Sequence, residues 1–374
     1  MVARMELPAA IALSAAAAAA PAFLPLFVGM QMILHAAAAL RVPRSRLHMA
    51  FDGLLALLII LAAIAAIVAP FPLSMLQALR LLSGIGLFRA ALGASVHDLT
   101  STRTLIGLAA AALVSAAAAF AAALAPSAAA FSAPQIFVPL AACAAFAPRT
   151  TGLSRPLRAA FAAAAMLGVI SAPPHLIPLL IVAAAAAVAA THAATAARAL
   201  PYVVGTLALS HLLLLFGPHT WTNALLFLHT PMQIATIREA WDRALLLVHM
   251  LPFTGAGPGG YALVVDALFP LSTAPQATDA HNLMLQIVSD FGIPGGLVLG
   301  ALLARIVTQR SSVGVHWLRH AAMCALAAIL IDGITTTTLW LASPVAPLAW
   351  LIVGGAVRLL HSSMETHTMQ GAAQ

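Results

Sequence analysis

The sequence predicts an all-α integral membrane protein, a single bundle of about twelve transmembrane helices with one long polar loop before the last three spans. Three observations lead there. Hydrophobic residues make up 63% of the chain and charged residues 7%, with a mean hydropathy of +1.03, whereas soluble domains carry about a quarter charged residues. Apolar segments rich in Ala and Leu recur along the whole of 1–374 without the alternation of a strand. In hydrocarbon each unpaired backbone amide costs several kcal/mol, which restricts so apolar a chain to helices or a closed barrel, and the missing alternation selects helices. The first apolar segment is one of many and lacks a cleavage site, so it is expected to remain as a span.

A span needs about 20 apolar residues, fewer where neighbouring helices bury its ends. Segments that qualify lie near 7–20, 22–40, 49–69, 74–94, 104–124, 134–147, 159–170, 176–192, 200–216, 282–304, 320–341 and 345–358. All 17 basic residues are Arg. Basic residues beside spans stay in the cytoplasm. With both termini inside, thirteen of the 17 are cytoplasmic: Arg4, Arg41, Arg44, Arg46, Arg103, Arg149, Arg155, Arg158, Arg198, Arg305, Arg310, Arg319 and Arg358. Arg80 and Arg89 fall inside a span, and Arg238 and Arg243 share the outer loop. The sequence pI of about 11.2 therefore reflects topology, and no nucleic-acid partner is expected. Cys143 and Cys324 lie in apolar stretches and suit core packing.

The outer loop runs over residues 217–282 and carries nearly all the candidate chemistry. Thr230 and Pro231 form a helix start signal. Ile234, Ile237, Trp241, Leu245 and Val248 then recur at helical spacing, as in an amphipathic helix on a membrane surface. Pro252 ends it, a turn-rich Phe253 to Tyr261 follows, then a short apolar piece at 262–269 and a polar run at 272–279. His281 and Asn282 open the next predicted span.

Each candidate residue has a functional and a structural reading. Arg238 and Arg243 could grip an anion, since a guanidinium fork matches phosphate oxygens. They could equally pair with Asp242 and Glu239, both at the i, i+4 spacing of helix ion pairs. His281 could take a proton from a hydroxyl, with Asn282 orienting it or the substrate; a structural interface histidine is the alternative. Gly255 and Gly257 permit backbone close to a ligand, or a plain turn. Arg80, Arg89, Asp290 and Asp332 within spans should pair or line a wet cavity, or touch a lipid phosphate. His175 should sit at the outer surface between two spans. The loop has no metal-ligand pattern and no nucleotide-binding motif, so neither metal nor cofactor is expected.

Taken together, Arg238-Glu-Ala-Trp241, Pro252-Phe-Thr-Gly-Ala-Gly-Pro-Gly259 and Ala280-His-Asn-Leu-Met-Leu-Gln-Ile-Val-Ser-Asp-Phe-Gly-Ile-Pro-Gly295 resemble the O-antigen ligase and polymerase superfamily. That resemblance implies a metal-independent, inverting membrane glycosyltransferase of GT-C type in the bacterial inner membrane, with its active site facing the periplasm. The implied donor is a polyprenyl-diphosphate-linked glycan and the first-choice acceptor a lipid A core sugar. Glycan polymerisation and transfer to protein are close alternatives. Arg238 would bind the diphosphate and His281 would activate or position the acceptor, with Asn282, Trp241, Arg243, Gly255 and Gly257 in support. The family's further Arg, in a Ser-Arg pair opening an outer-facing span, has no outer counterpart, because Ser154-Arg155 falls in a predicted cytoplasmic loop. His175, Arg80 or Arg89 is then expected to supply the second anion contact. A secondary transporter and an inactive scaffold of envelope synthesis are the rival readings.

Overall fold

The structure is a computed structural model. It describes chiefly residues 46–68, 72–94, 104–110, 134–147, 153–170, 177–192, 231–268, 279–308 and 317–333, with scattered positions at 11–33, 112–117 and 350–358. The described residues are helical or lie in turns, and none is in a strand. The helices are α1 (Arg46–Val68), α2 (Pro72–Gly93), α3 (Pro134–Phe146), α4 (Arg155–Ile170), α5 (Ile177–His192), α6 (Pro231–Met250), α7 (Tyr261–Leu268), α8 (Leu283–Thr308) and α9 (Trp317–Asp332). His175 and the expected spans at 7–20, 22–40 and 200–216 lie largely or wholly outside the described residues, as does the helix cap expected at Thr230.

Two stretches have the chain length and hydropathy of a membrane span, Phe51–Val68 in α1 and Leu283–Ile306 in α8, the second only when counted through a break in the helix at Gly292. On α1, Phe51, Leu55, Leu58, Ala62 and Ala65 recur at alternating four- and three-residue steps and are buried. This seam packs on α2 and α8. Leu57, Ile60, Ile64 and Ile67 remain exposed, Ile67 to 77%. Beyond Gly53 the helix is therefore apolar on every side, which water alone does not favour. A second group packs α3 against α4, α5 and α9. Both groups share one core, in which Phe88 makes edge-on contacts with Phe51 and Trp350 at 5.6 and 6.2 Å between centroids.

Two arginines of the predicted cytoplasmic set tie distant segments together. Arg358 donates from Nε to the Ala94 carbonyl at 3.0 Å, and Arg158 donates to the carbonyls of Leu153 and Ala147. The carbonyls at the ends of helices lack intrahelical partners, so a guanidinium there is favourable on both charge and hydrogen-bond grounds.

Helix α8 departs from the single straight span expected over 282–304. Gly292 has φ 69 and ψ −177, a region essentially confined to glycine, and the backbone breaks there. The two halves fold back on one another. A Cβ at Gly296 would collide with Val288, and Met284 lies beside it; in a straight helix Gly296 and Met284 would be about 18 Å apart. Leu283 likewise shares a crevice wall with Leu299, Leu302 and Leu303. Pro294 falls in the first turn of the second half, where its missing N–H is tolerated.

Candidate functional site

The break in α8 organises the site. In an unbroken helix the Ser289 carbonyl would accept from Ile293 N–H, and the Asp290 carbonyl would face Pro294, which has no N–H to give. Instead Ile293 N–H donates to the Pro252 carbonyl at 2.7 Å, Ala256 N–H donates to Ser289 O at 2.7 Å, and Gly257 N–H donates to Asp290 O at 3.0 Å. The segment between α6 and α7 thus satisfies the backbone groups that Gly292 and Pro294 release. Gly257 has φ 88 and Gly255 φ 64, and a Cβ on Gly255 would overlap the Asp290 carbonyl group. The partner these two glycines approach so closely is the protein's own broken helix.

Around this junction lies a small core separate from the main one. Ile237, Ala240, Trp241, Ala244 and Leu247 of α6 pack with Ala256, Tyr261, Val265, Ala280 and Leu285. The apolar stripe expected to face a membrane surface therefore faces protein along much of its length. Tyr261 is fully buried and donates from its hydroxyl to the Ala240 carbonyl at 2.9 Å. Burial holds its phenol well above the usual range, reinforced by Asp279 and Glu239 and opposed by Arg243, so the proton needed for that bond is retained.

His281 sits at the mouth of the broken helix in a left-handed conformation, φ 46, unlike every other described non-glycine residue. That geometry costs roughly 1–2 kcal/mol for an ordinary side chain, and its neighbours hold it. Asp279 Oδ1 accepts the His281 backbone N–H at 2.8 Å and lies 3.5 Å from Nδ1 of the ring. Trp241 Nε1–H donates to the His281 carbonyl at 3.3 Å. Asn282, fully buried, caps the first half of α8, its Oδ1 accepting the Leu285 amide at 3.0 Å. Its side-chain oxygen is thus engaged with the helix that follows His281. Gln286 spans the same turn: its Oε1 accepts from Ala280 N–H at 2.8 Å and its Nε2 donates to Asp290 Oδ1 at 3.0 Å. Asp290 is wholly buried, with the Gly259 amide also facing its carboxyl.

The remaining candidates divide. Arg238 is half-buried on α6, three residues before Trp241 and so on the same helix face. Arg243 is buried and pairs with Glu239 at i, i+4, the structural alternative considered for it. Arg89 is paired with Asp52 of α1, Nε to Oδ1 at 3.1 Å. Arg80 donates to Gln77 Oε1 at 3.3 Å, and Gln77 lies against Gly259, which brings the Arg80 turn of α2 up to the glycine segment. The structure therefore joins Trp241 to His281 and its neighbour Asn282, and closes Gly255 and Gly257 on the Ser289 and Asp290 backbone further along the same helix. It brings the Arg80 turn to the glycine segment through Gln77, leaves Arg238 one helical turn before Trp241 on α6, and holds Arg89 in an ion pair with Asp52. Among the described residues no three His, Cys, Asp or Glu side chains gather as a metal site would require.

Sequence reasoning misses two parts of this arrangement. Phe291-Gly-Ile-Pro294 within an apolar run is a helix stop signal, glycine followed by proline two residues later, and could have located the break. Asp279, two residues before His281, matches the short local turns that Asp forms with following backbone amides. Compared with protein-family models and with curated proteins, the chain matches none.

Proposed function

We propose that the chain is a multi-pass membrane glycosyltransferase that moves a glycan from a polyprenyl-diphosphate carrier to an acceptor hydroxyl, with a lipid A core sugar as the first-choice acceptor. The observation that carries the reading is the meeting of a left-handed His281 with the α6 helix bearing Arg238, through the Trp241 bond to the His281 carbonyl. Non-glycine residues held in sparsely populated conformations cluster at functional sites, which makes His281 the leading candidate. In the proposed step the acceptor oxygen attacks the anomeric carbon, the bond from that carbon to the diphosphate breaks, and the diphosphate leaves with the electron pair. The hydroxyl proton passes to the His281 imidazole, while Arg238 balances charge growing on the leaving group. No metal takes part in this scheme.

The membrane setting draws on the all-round apolar character of α1 beyond Gly53 and on the arginine contacts, while the count of about twelve spans comes from the sequence alone. Arg358 with Ala94, and Arg158 with Ala147, join chain segments predicted on the same cytoplasmic side. Gln77 with Gly259 joins two predicted on the outer side. Arg80 is the better placed second anion contact, because Gln77, to which it donates, lies against Gly259 of the glycine segment. An apolar crevice lined by Leu283, Leu299, Leu302, Leu326, Ile329 and Trp350 has the chemistry to accept a lipid hydrocarbon chain. The transporter reading draws on the same broken helix, since transporters coordinate ions with unwound carbonyls. Here the freed carbonyls of Ser289 and Asp290 already accept bonds from Ala256 and Gly257, which favours the enzyme.

The test is transfer by purified protein from lipid-linked glycan to candidate acceptors. His281→Ala and Arg238→Ala should each lower kcat/KM by about 100-fold or more while keeping the thermal midpoint of the wild type. Unimpaired transfer by both would remove the mechanism, and substrate flux into liposomes without transfer would select the transporter.

A further inference from the structure

We propose that Asp279 is a positioning residue for His281, holding the imidazole by Nδ1 so that Nε2 receives the acceptor proton. The proposal rests on the glycosyltransferase reading above. One carboxylate oxygen faces two nitrogens of the same residue, the backbone N–H at 2.8 Å and ring Nδ1 at 3.5 Å. Both side chains are partly open, 26% for Asp279 and 32% for His281, so the pair can meet a substrate without the large desolvation cost of a fully buried ion pair. The other end of the residue is fixed as well, with Trp241 on the His281 carbonyl and Asn282 capping the helix that follows. A backbone restrained on both sides leaves rotation of the ring as the main remaining freedom, and Asp279 is the group placed to limit it.

The chemistry gives that restraint a purpose. An imidazole whose Nδ1–H points at a carboxylate presents the Nε2 lone pair for proton transfer. When the hydroxyl proton arrives on Nε2, the ring becomes an imidazolium whose charge the adjacent carboxylate balances. No proton moves to Asp279 in this step. The bond-forming and bond-breaking events are those of the transfer step above.

A purely structural turn would need only an acceptor for the His281 N–H, which asparagine supplies as well as aspartate. The two roles therefore separate on Asp279→Asn. With full-length protein and lipid-linked glycan, Asp279→Asn should keep the thermal midpoint and hold the donor KM within about twofold while kcat falls about tenfold or more. Wild-type kcat in Asp279→Asn beside an inactive His281→Ala overturns the proposal and leaves the glycosyltransferase reading standing. Full transfer by His281→Ala overturns both. A second measurement does not depend on turnover: 15N spectra of the His281 ring, assigned by difference from His281→Gln, should show a proton on Nδ1 in the wild type. A bare Nδ1 there overturns the proposal even if Asp279→Asn fails to fold.

Discussion

Helices α1 and α8 contain the two stretches among the described residues that satisfy the length and hydropathy of a membrane span, yet they reach opposite outcomes. Within Phe51–Val68 only 28% of residues are buried in the protein, against 67% of the stretch in α8. Helix α1 is an unbroken rod whose backbone bonds are internal, so its outer face tolerates any apolar side chain. Helix α8 is interrupted by a glycine and a proline, and the groups released at the interruption are taken up by another segment of chain. Hydropathy treats the two alike. What separates them is whether every backbone donor and acceptor finds its partner within the helix, and the failure to do so at Gly292 is what docks the glycine segment against α8.

The most severe test of that contrast is Gly292→Ala. The backbone angles there exclude a side chain and the added Cβ would meet the Phe253 carbonyl, so a loss of about 3 kcal/mol or more is expected, seen as a large fall in thermal midpoint in detergent. A midpoint like the wild type's would mean that the break does not hold the junction together. Next comes Gln286→Ala, which leaves the Ala280 amide without its acceptor and removes one of the bonds to the Asp290 carboxyl. A cost of roughly 2 kcal/mol follows from stranding buried polar groups, and urea titration would measure it. The smallest effect should have the opposite sign. Gly53 is helical on α1 and has open space where a methyl group would sit, so Gly53→Ala should stabilise by about 0.5–1 kcal/mol. Destabilisation there would show that α1 has a packing partner on its open side.

Much of the candidate site is legible in the sequence because its signals are local. The start of α6 at Pro231 and its end before Pro252 follow from proline's missing donor, and the Glu239–Arg243 pair follows from helical spacing. The capping of α8 by Asn282 is the preference of a short polar side chain at a helix start. The break at Gly292 escapes hydropathy because the residues around it are largely apolar, so a sliding window runs straight through. The Asp279 contact to the ring and the Trp241 bond to His281 are out of reach for a different reason. The first depends on a left-handed backbone at a residue that is not glycine, and the second joins positions 40 apart in the chain.

The sequence by itself determined that this chain is helical and rich in segments able to live in hydrocarbon, because composition and the backbone's demand for internal hydrogen bonds allow little else. It also determined which polar residues stand together in one loop. Only the tertiary structure decided that α8 turns back on itself, that the glycines close against its freed carbonyls, and that His281 meets Asp279 and Trp241. Those outcomes depend on unsatisfied backbone groups finding partners across space, and no local pattern encodes where the partner will be.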